Sequence, residues 1–232
     1  MTVLSIGLLV FAYAGVPLTY GKYERWLLAR KAKKCRVLVL TFDDGPGSRL
    51  TPAILNILAE YNAKATFFLL GGNIAGREEI VRQIAEQGHE ICSHGYDHLH
   101  YWKVSPVRAI RDIKRGWQAI DSALVLKKQK YPFRPPYGKL NIVSLLYLLF
   151  CRMPIVYWSV DLGDTWFETI DPARIAHLAK EAGGAVILAH DFDRSDDSVD
   201  LIVLESVRSV LAMAKAESMR VLTVSELLDD RK

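Results

Sequence analysis

Six short apolar runs punctuate the chain, at 37–42, 65–70, 90–93, 155–160, 185–189 and 220–224, each of strand length. Most of the gaps between them place apolar residues at helical spacing. They predict helices over 52–61, 78–87, 106–124, 171–182 and 201–216, several opened by Ser, Thr or Asp followed by Pro. Strands alternating with helices predict an α/β fold with a parallel sheet and right-handed crossovers. About 200 residues is short for a regular eight-stranded barrel, which favours an irregular one. With no repeat, linker or low-complexity tract after position 35, residues 36–232 read as one catalytic domain.

Two stretches break the pattern. Residues 3–20 are nearly uncharged and are followed by Lys22, Arg25, Arg30, Lys31, Lys33, Lys34 and Arg36. A secretory signal would put the basic residues first, although Ala12 and Ala14 form an A-x-A pattern. The reversed order predicts that 1–35 is a membrane anchor with a basic flank, which would keep the domain in the cytoplasm. Secretion, a periplasmic location, and an amphipathic helix lying on the domain are the alternatives. The second stretch, LNIVSLLYLLFC at 140–151, has almost no polar face and is too short to span a bilayer. It is expected to be covered by lipid, by another chain or by the N-terminal segment.

Composition adds little. Lys and Arg number 30 against 26 Asp and Glu, a net charge of +4, and much of the excess sits in the N-terminal basic cluster. That cluster reads as an anionic-lipid contact, and no nucleic-acid module is present. Three cysteines without paired spacing, Cys35, Cys92 and Cys151, argue against a disulfide framework.

The candidate chemistry lies at strand ends. TFDDGP at 41–46 puts the adjacent carboxylates Asp43 and Asp44 after an apolar run. Neighbouring carboxylates repel unless a metal bound by one leaves the other free as a base. SHGYDH at 93–98 adds His94 and His98 at a spacing suited to gripping one ion. His89 reads as the start of a strand and His100 as lying beyond reach of the ion. One carboxylate and two imidazoles are a donor set for a catalytic divalent metal: zinc first, with cobalt, nickel or manganese also compatible. His190 follows another apolar run.

In order and spacing, TFDDGP, SHGYDH, FRPPYG at 133–138, VDLGDTW at 160–166 and LAHD at 188–191 resemble the motifs of polysaccharide deacetylases, the NodB-like family-four carbohydrate esterases. The resemblance spans about 36–228 and implies an irregular (β/α)7 barrel preceded here by a hydrophobic N-terminal helix. It implies Asp44, His94 and His98 as metal ligands and Asp43 as the general base. Arg134 would pair with Asp43, and Asp161 with Arg134. The backbone N–H of Tyr137 would stabilise the oxyanion, and His190 would act as general acid. Leu188 would line the acyl pocket and Trp166 would form a groove wall. One departure stands out: Thr165 separates Asp164 from Trp166, where the family usually has Trp directly after the second Asp.

The expected function is hydrolysis of an N-acyl group, acetyl or formyl, from an amino sugar. The apolar stretches suggest that this sugar is polyprenyl-linked and met at a membrane. The alternatives are a chitin-like or peptidoglycan polymer, O-acetyl esterase activity, and a catalytically silent glycan- or lipid-binding protein.

Overall fold

The computed structural model describes residues 11–126, 129–165 and 171–229. The first strand, β1 (Val37–Asp43), is buried along its whole length. That suits a central parallel strand, whose two faces are both covered. Around it lie β2 (Thr66–Leu69), β3 (Glu90–Ser93), β4 (Val160–Asp161) and β5 (Ala185–His190), in the order β3-β2-β1-β5-β4. A short β6 (Arg220–Val221) pairs with the first residues of β1. Parallel bridges from Ser93 to Phe133 and from Phe133 to Ile155 extend the sheet beyond β3. This is the predicted parallel α/β architecture, with two of its staves reduced to single bridges.

Eight helices are described: α1 (Val16–Cys35), α2 (Leu50–Glu60), α3 (Glu78–Glu86), α4 (Pro106–Ala123), α5 (Ile142–Phe150), α6 (Pro172–Ala182), α7 (Asp197–Ala216) and α8 (Val224–Asp229). Two predicted starts are capped as expected: Ser105 accepts from Arg108 N ahead of α4, and Asp171 from Ala173 N ahead of α6. The start expected at Pro52 lies earlier, α2 beginning at Leu50 without a side-chain cap, and α5 is capped by Asn141, which accepts from Ser144 N.

Two expected strands are shorter than their apolar runs. The segment 155–160 is a bridge at Ile155 and then β4, because the carbonyls of Val156 and Tyr157 between them turn to the buried Arg134 guanidinium. The run 220–224 stops at Val221 because Thr223 and Glu226 cap α8 reciprocally, side chain to backbone N–H in both directions.

The N-terminal segment also departs from expectation. Residues 1–10 lie outside the described residues; from Phe11 the chain makes one π-helical turn, Phe11–Gly15, and enters α1. Rather than a hydrophobic helix, α1 is amphipathic: Pro17, Gly21, Leu28 and Ala32 are buried, and the charged residues lie between them. Among the described residues no helix is long and apolar enough to cross a membrane. The buried face is fitted closely to the domain. A Cβ on Gly21 would meet Tyr157 at 2.9 Å, and one on Gly184, whose φ of 151° already favours glycine, would meet Ala32 O at 2.2 Å. The boundary expected at position 35 thus falls at the end of a helix that covers β1 and β5. In α5, Ser144, Leu145 and Leu148 are buried, whereas Leu146, Leu149 and Phe150 are exposed.

Candidate active site

The carboxyl ends of β1 and β5 meet in register, with Asp43 the Cα partner of His190. Adjacent strands lie about 4.8 Å apart, so the two side chains reach the same space from neighbouring strands. Strand alternation also points Thr41 and Asp43 the same way, and a single Arg134 nitrogen, Nη1, donates to both at 2.7 Å. Arg134 is wholly buried, donates also to the carbonyls of Val156 and Tyr157, and lies 4.1 Å from the centroid of the Phe68 ring. Burial pushes the Asp43 carboxyl up to about 6 against the downward pull of Arg134 and His190.

The next residue, Asp44, is turned into the left-handed region (φ 68°), and both carboxylates approach His94 Nε2, Asp43 Oδ2 at 3.8 Å. Asp44 Oδ1 lies 3.5 Å from His94 Nε2 and 3.4 Å from His98 Nε2. That oxygen is buried and has no hydrogen-bond partner. His94 is oriented by its other ring nitrogen, 2.8 Å from the Arg134 carbonyl; Nδ1–H then donates and Nε2 keeps its lone pair. Asp44, His94 and His98 bring one donor atom each within 4.8 Å of one another. An orphaned carboxylate oxygen facing two imidazole lone pairs fits a divalent cation, and burial opposes protonation of both histidines. Asp44, His98 and Tyr137 all have positive φ, at 68°, 51° and 57°. Non-glycine residues so placed cost about 1–3 kcal/mol each and gather at functional sites.

His190 stands on the other side of the cavity. Its Nδ1 lies 2.8 Å from Asp164 Oδ1, while the other oxygen of Asp164 accepts from His190 N at 2.9 Å and from Arg194 Nη2 at 2.7 Å. Burial alone would lower the imidazole, but the hydrogen bond and charge of Asp164, with Asp43 and Asp44, raise it to about 9. Behind the β1 turn, Asp191 is buried and bonded to Thr51 Oγ1 at 2.6 Å. Only glycine fits at position 45, since a Cβ there would lie 2.3 Å from the Asp191 carboxylate.

A cavity of about 450 Å³ joins these groups, with Asp43, His94, His98, His190, Tyr137 and Leu188 in its wall. The Tyr137 ring packs on His98 and His100, at 4.5 and 5.2 Å between centroids. His100 lines the cavity outside the ligand trio, and His89 is buried and accepts from Ala65 N. One partnership is looser than expected. Arg134 makes its direct ion pair with Asp43, and Asp161 acts on it through charge alone; Asp161 is exposed at the rim, with its Oδ1 on Gly163 N at 2.9 Å. Trp166 lies outside the described residues. Sequence reasoning missed Asp164 and Arg194 as the partners that hold His190. The signal for the first was present as a second Asp in VDLGDTW, whereas Arg194 sits in a polar loop that marks nothing.

Residues 30–153 match the family model described as polysaccharide deacetylase. The chain is similar to the peptidoglycan-N-acetylglucosamine deacetylase PgdA of Listeria monocytogenes, 30% identical over 203 residues that cover 87% of this chain and 41% of that protein. It thus spans less than half the length of that relative. It is also similar to a chitooligosaccharide deacetylase of Rhizobium leguminosarum bv. trifolii, 35% identical over 67% of this chain and 72% of that protein. A solved peptidoglycan N-acetylglucosamine deacetylase superimposes with a TM-score of 0.74 at 29% identity, covering 83% of this chain and 87% of the other.

Proposed function

The chain belongs to the polysaccharide deacetylase family, and from that membership we propose that it is a metal-dependent hydrolase removing the N-acetyl group from N-acetylglucosamine units of a peptidoglycan- or chito-oligosaccharide-type glycan. The observation that carries this reading is the opposition of Asp43 and His190 across the β1–β5 seam, beside the Asp44, His94 and His98 trio. A divalent cation held by the trio would act as a Lewis acid on the amide and on water. Asp43, fixed by Arg134, accepts the proton of the attacking water. His190, its Nδ1–H donated to Asp164, presents Nε2 to the departing nitrogen and protonates it. Tyr137, in the cavity wall, would offer its backbone N–H to the oxyanion, and Leu188 in the same wall would bound the space for a small acyl group.

The test is release of acetate and free amine from N-acetylated glycan fragments by metal-replete protein. Wild type should turn over, and Asp43→Asn should retain the metal and lose turnover. Cleavage of O-acetyl groups alone would make the protein an esterase, and no release by a metal-loaded protein would leave a binding role.

A second reading concerns placement. The exposed Leu146, Leu149 and Phe150 of α5 follow closely on Gly138 and Lys139 of the cavity wall. With the apolar, uncharged sequence before Phe11, that face would seat the domain on a cytoplasmic membrane surface, where a polyprenyl-linked amino sugar becomes the substrate. Leu146→Asp with Phe150→Asp should then abolish co-flotation with anionic vesicles; unchanged flotation overturns it.

A further inference from the structure

Beside the catalytic cavity lies a second, more open cleft of about 480 Å³, and its wall comes largely from the N-terminal helix. Arg25, Trp26 and Ala29 of α1 face Trp158, Ser159 and Asp161. Trp158 and Asp161 belong to the wall of both cavities, so the two adjoin. Trp26 is 52% exposed, unusual for the largest apolar side chain on a helix that has a buried face available. It is nevertheless held in place: the Tyr23 ring stacks on it at 6.0 Å and the Arg30 guanidinium lies 5.3 Å from its centroid. Arg25 is anchored over Trp158 at 3.9 Å, which ties α1 to the catalytic rim. Asp161, at the rim, presents an exposed carboxylate to the same space.

We propose that this cleft is a sugar subsite, in which α1 binds the pyranose ring adjoining the one whose acetamido group enters the catalytic cavity. A pyranose has an apolar C–H face and a rim of hydroxyls. An indole, an anchored guanidinium and a carboxylate around an open cleft match that chemistry: the ring supplies apolar area, and the charged groups supply charge-assisted hydrogen bonds to hydroxyls. The shared Trp158 and Asp161 select the occupant: a glycan whose acetamido group enters the catalytic cavity can lay its neighbouring ring against the same two side chains. The proposal rests on the deacetylase reading and deepens it. It makes a glycan of two or more sugars the preferred substrate and gives α1 a binding task.

The experiment compares Trp26→Ala and Trp26→Phe with wild type on N-acetylglucosamine oligomers of increasing length. Trp26→Ala should raise KM about tenfold on the longer oligomers, leave kcat unchanged, and leave kcat/KM on the monosaccharide unchanged, with Trp26→Phe recovering most of the loss. Equal loss at every length, or none, overturns the subsite. If wild type releases acetate from no oligomer, the deacetylase reading fails by itself. Calorimetric titration of the same oligomers then decides the subsite: weaker binding to Trp26→Ala supports it, and equal or absent binding overturns it. Reduced vesicle flotation of Trp26→Ala with unchanged oligomer dependence would make Trp26 a membrane contact and also overturn it.

Discussion

The two sides of the catalytic cavity use the same ingredients to opposite ends. On one side a carboxylate, Asp43, is the proposed base and a buried cation, Arg134, holds it. On the other an imidazole, His190, is the proposed acid and a buried carboxylate, Asp164, holds it, with Arg194 behind. Both working groups are raised, Asp43 to about 6 and His190 to about 9. The causes differ: burial raises Asp43 against its partner, whereas His190 is raised by its partner against burial. Removing the partner should therefore shift the two groups in opposite directions. Asp43 would rise without Arg134, and His190 would fall without Asp164. Near neutrality the pair is left with an ionised base and a protonated acid, the states hydrolysis requires.

The largest effect should come from Asp43→Asn. General-base loss costs about 10²–10⁴-fold in rate, and kcat should fall by the upper end of that range while bound metal, read by elemental analysis, stays near one per chain. Arg134→Met is expected next. It strands Asp43 in the interior, and loss of one partner of a buried pair costs about 3–5 kcal/mol, readable as a lower denaturation midpoint. Removing the metal with a chelator should abolish turnover reversibly and lower Tm, since saturating a site 100-fold above Kd adds about 2.7 kcal/mol. A Tm unmoved by metal would deny that Asp44, His94 and His98 bind it.

The smallest effect expected is on stability against pH in the metal-free protein. His190 titrates near 6.5 unfolded and about 9 folded. Its contribution is therefore complete below 6.5 and is lost as pH rises through 9. Asp43, raised from 3.8 to about 6, favours the folded state below 3.8 and withdraws that support as pH rises through 6. Asp164→Asn should flatten the decline between 6.5 and 9, with a smaller change in the lower window because His190 also acts on Asp43, as followed by Tm across a buffer series.

The base side was the more legible of the two. Asp43, Asp44, His94, His98 and Arg134 fall within short motifs; spacing brought His94 and His98 together, and the resemblance of the motifs supplied the expected partners of the others. The acid side depends on register. VDLGDTW offers Asp161 and Asp164, and β4 is only two residues long, too short for alternation to tell which one faces inward. The Asp161 backbone pairs with Leu188 at the rim, while Asp164 reaches His190 through the turn beyond, a distinction only the folded β5 makes. The basic flank read differently from its place in the fold: among the described residues it belongs to α1, which buries a stripe of small and apolar residues, Pro17, Gly21, Leu28 and Ala32, that a count of charges conceals.

The partition of base and acid between β1 and β5 is tested most directly by the pH dependence of kcat/KM in wild type and Asp164→Asn, on one soluble N-acetylated oligomer. Wild type should be bell-shaped, with an upper limb near 9 and a lower limb at or below about 6, since a cation beside Asp43 pulls its carboxyl down. In Asp164→Asn the upper limb should fall, because burial then acts on His190 without its main partner, while the lower limb moves only slightly upward as Asp43 loses the pull of a charged His190. An upper limb that does not move, or a lower limb that falls with it, would contradict the partition.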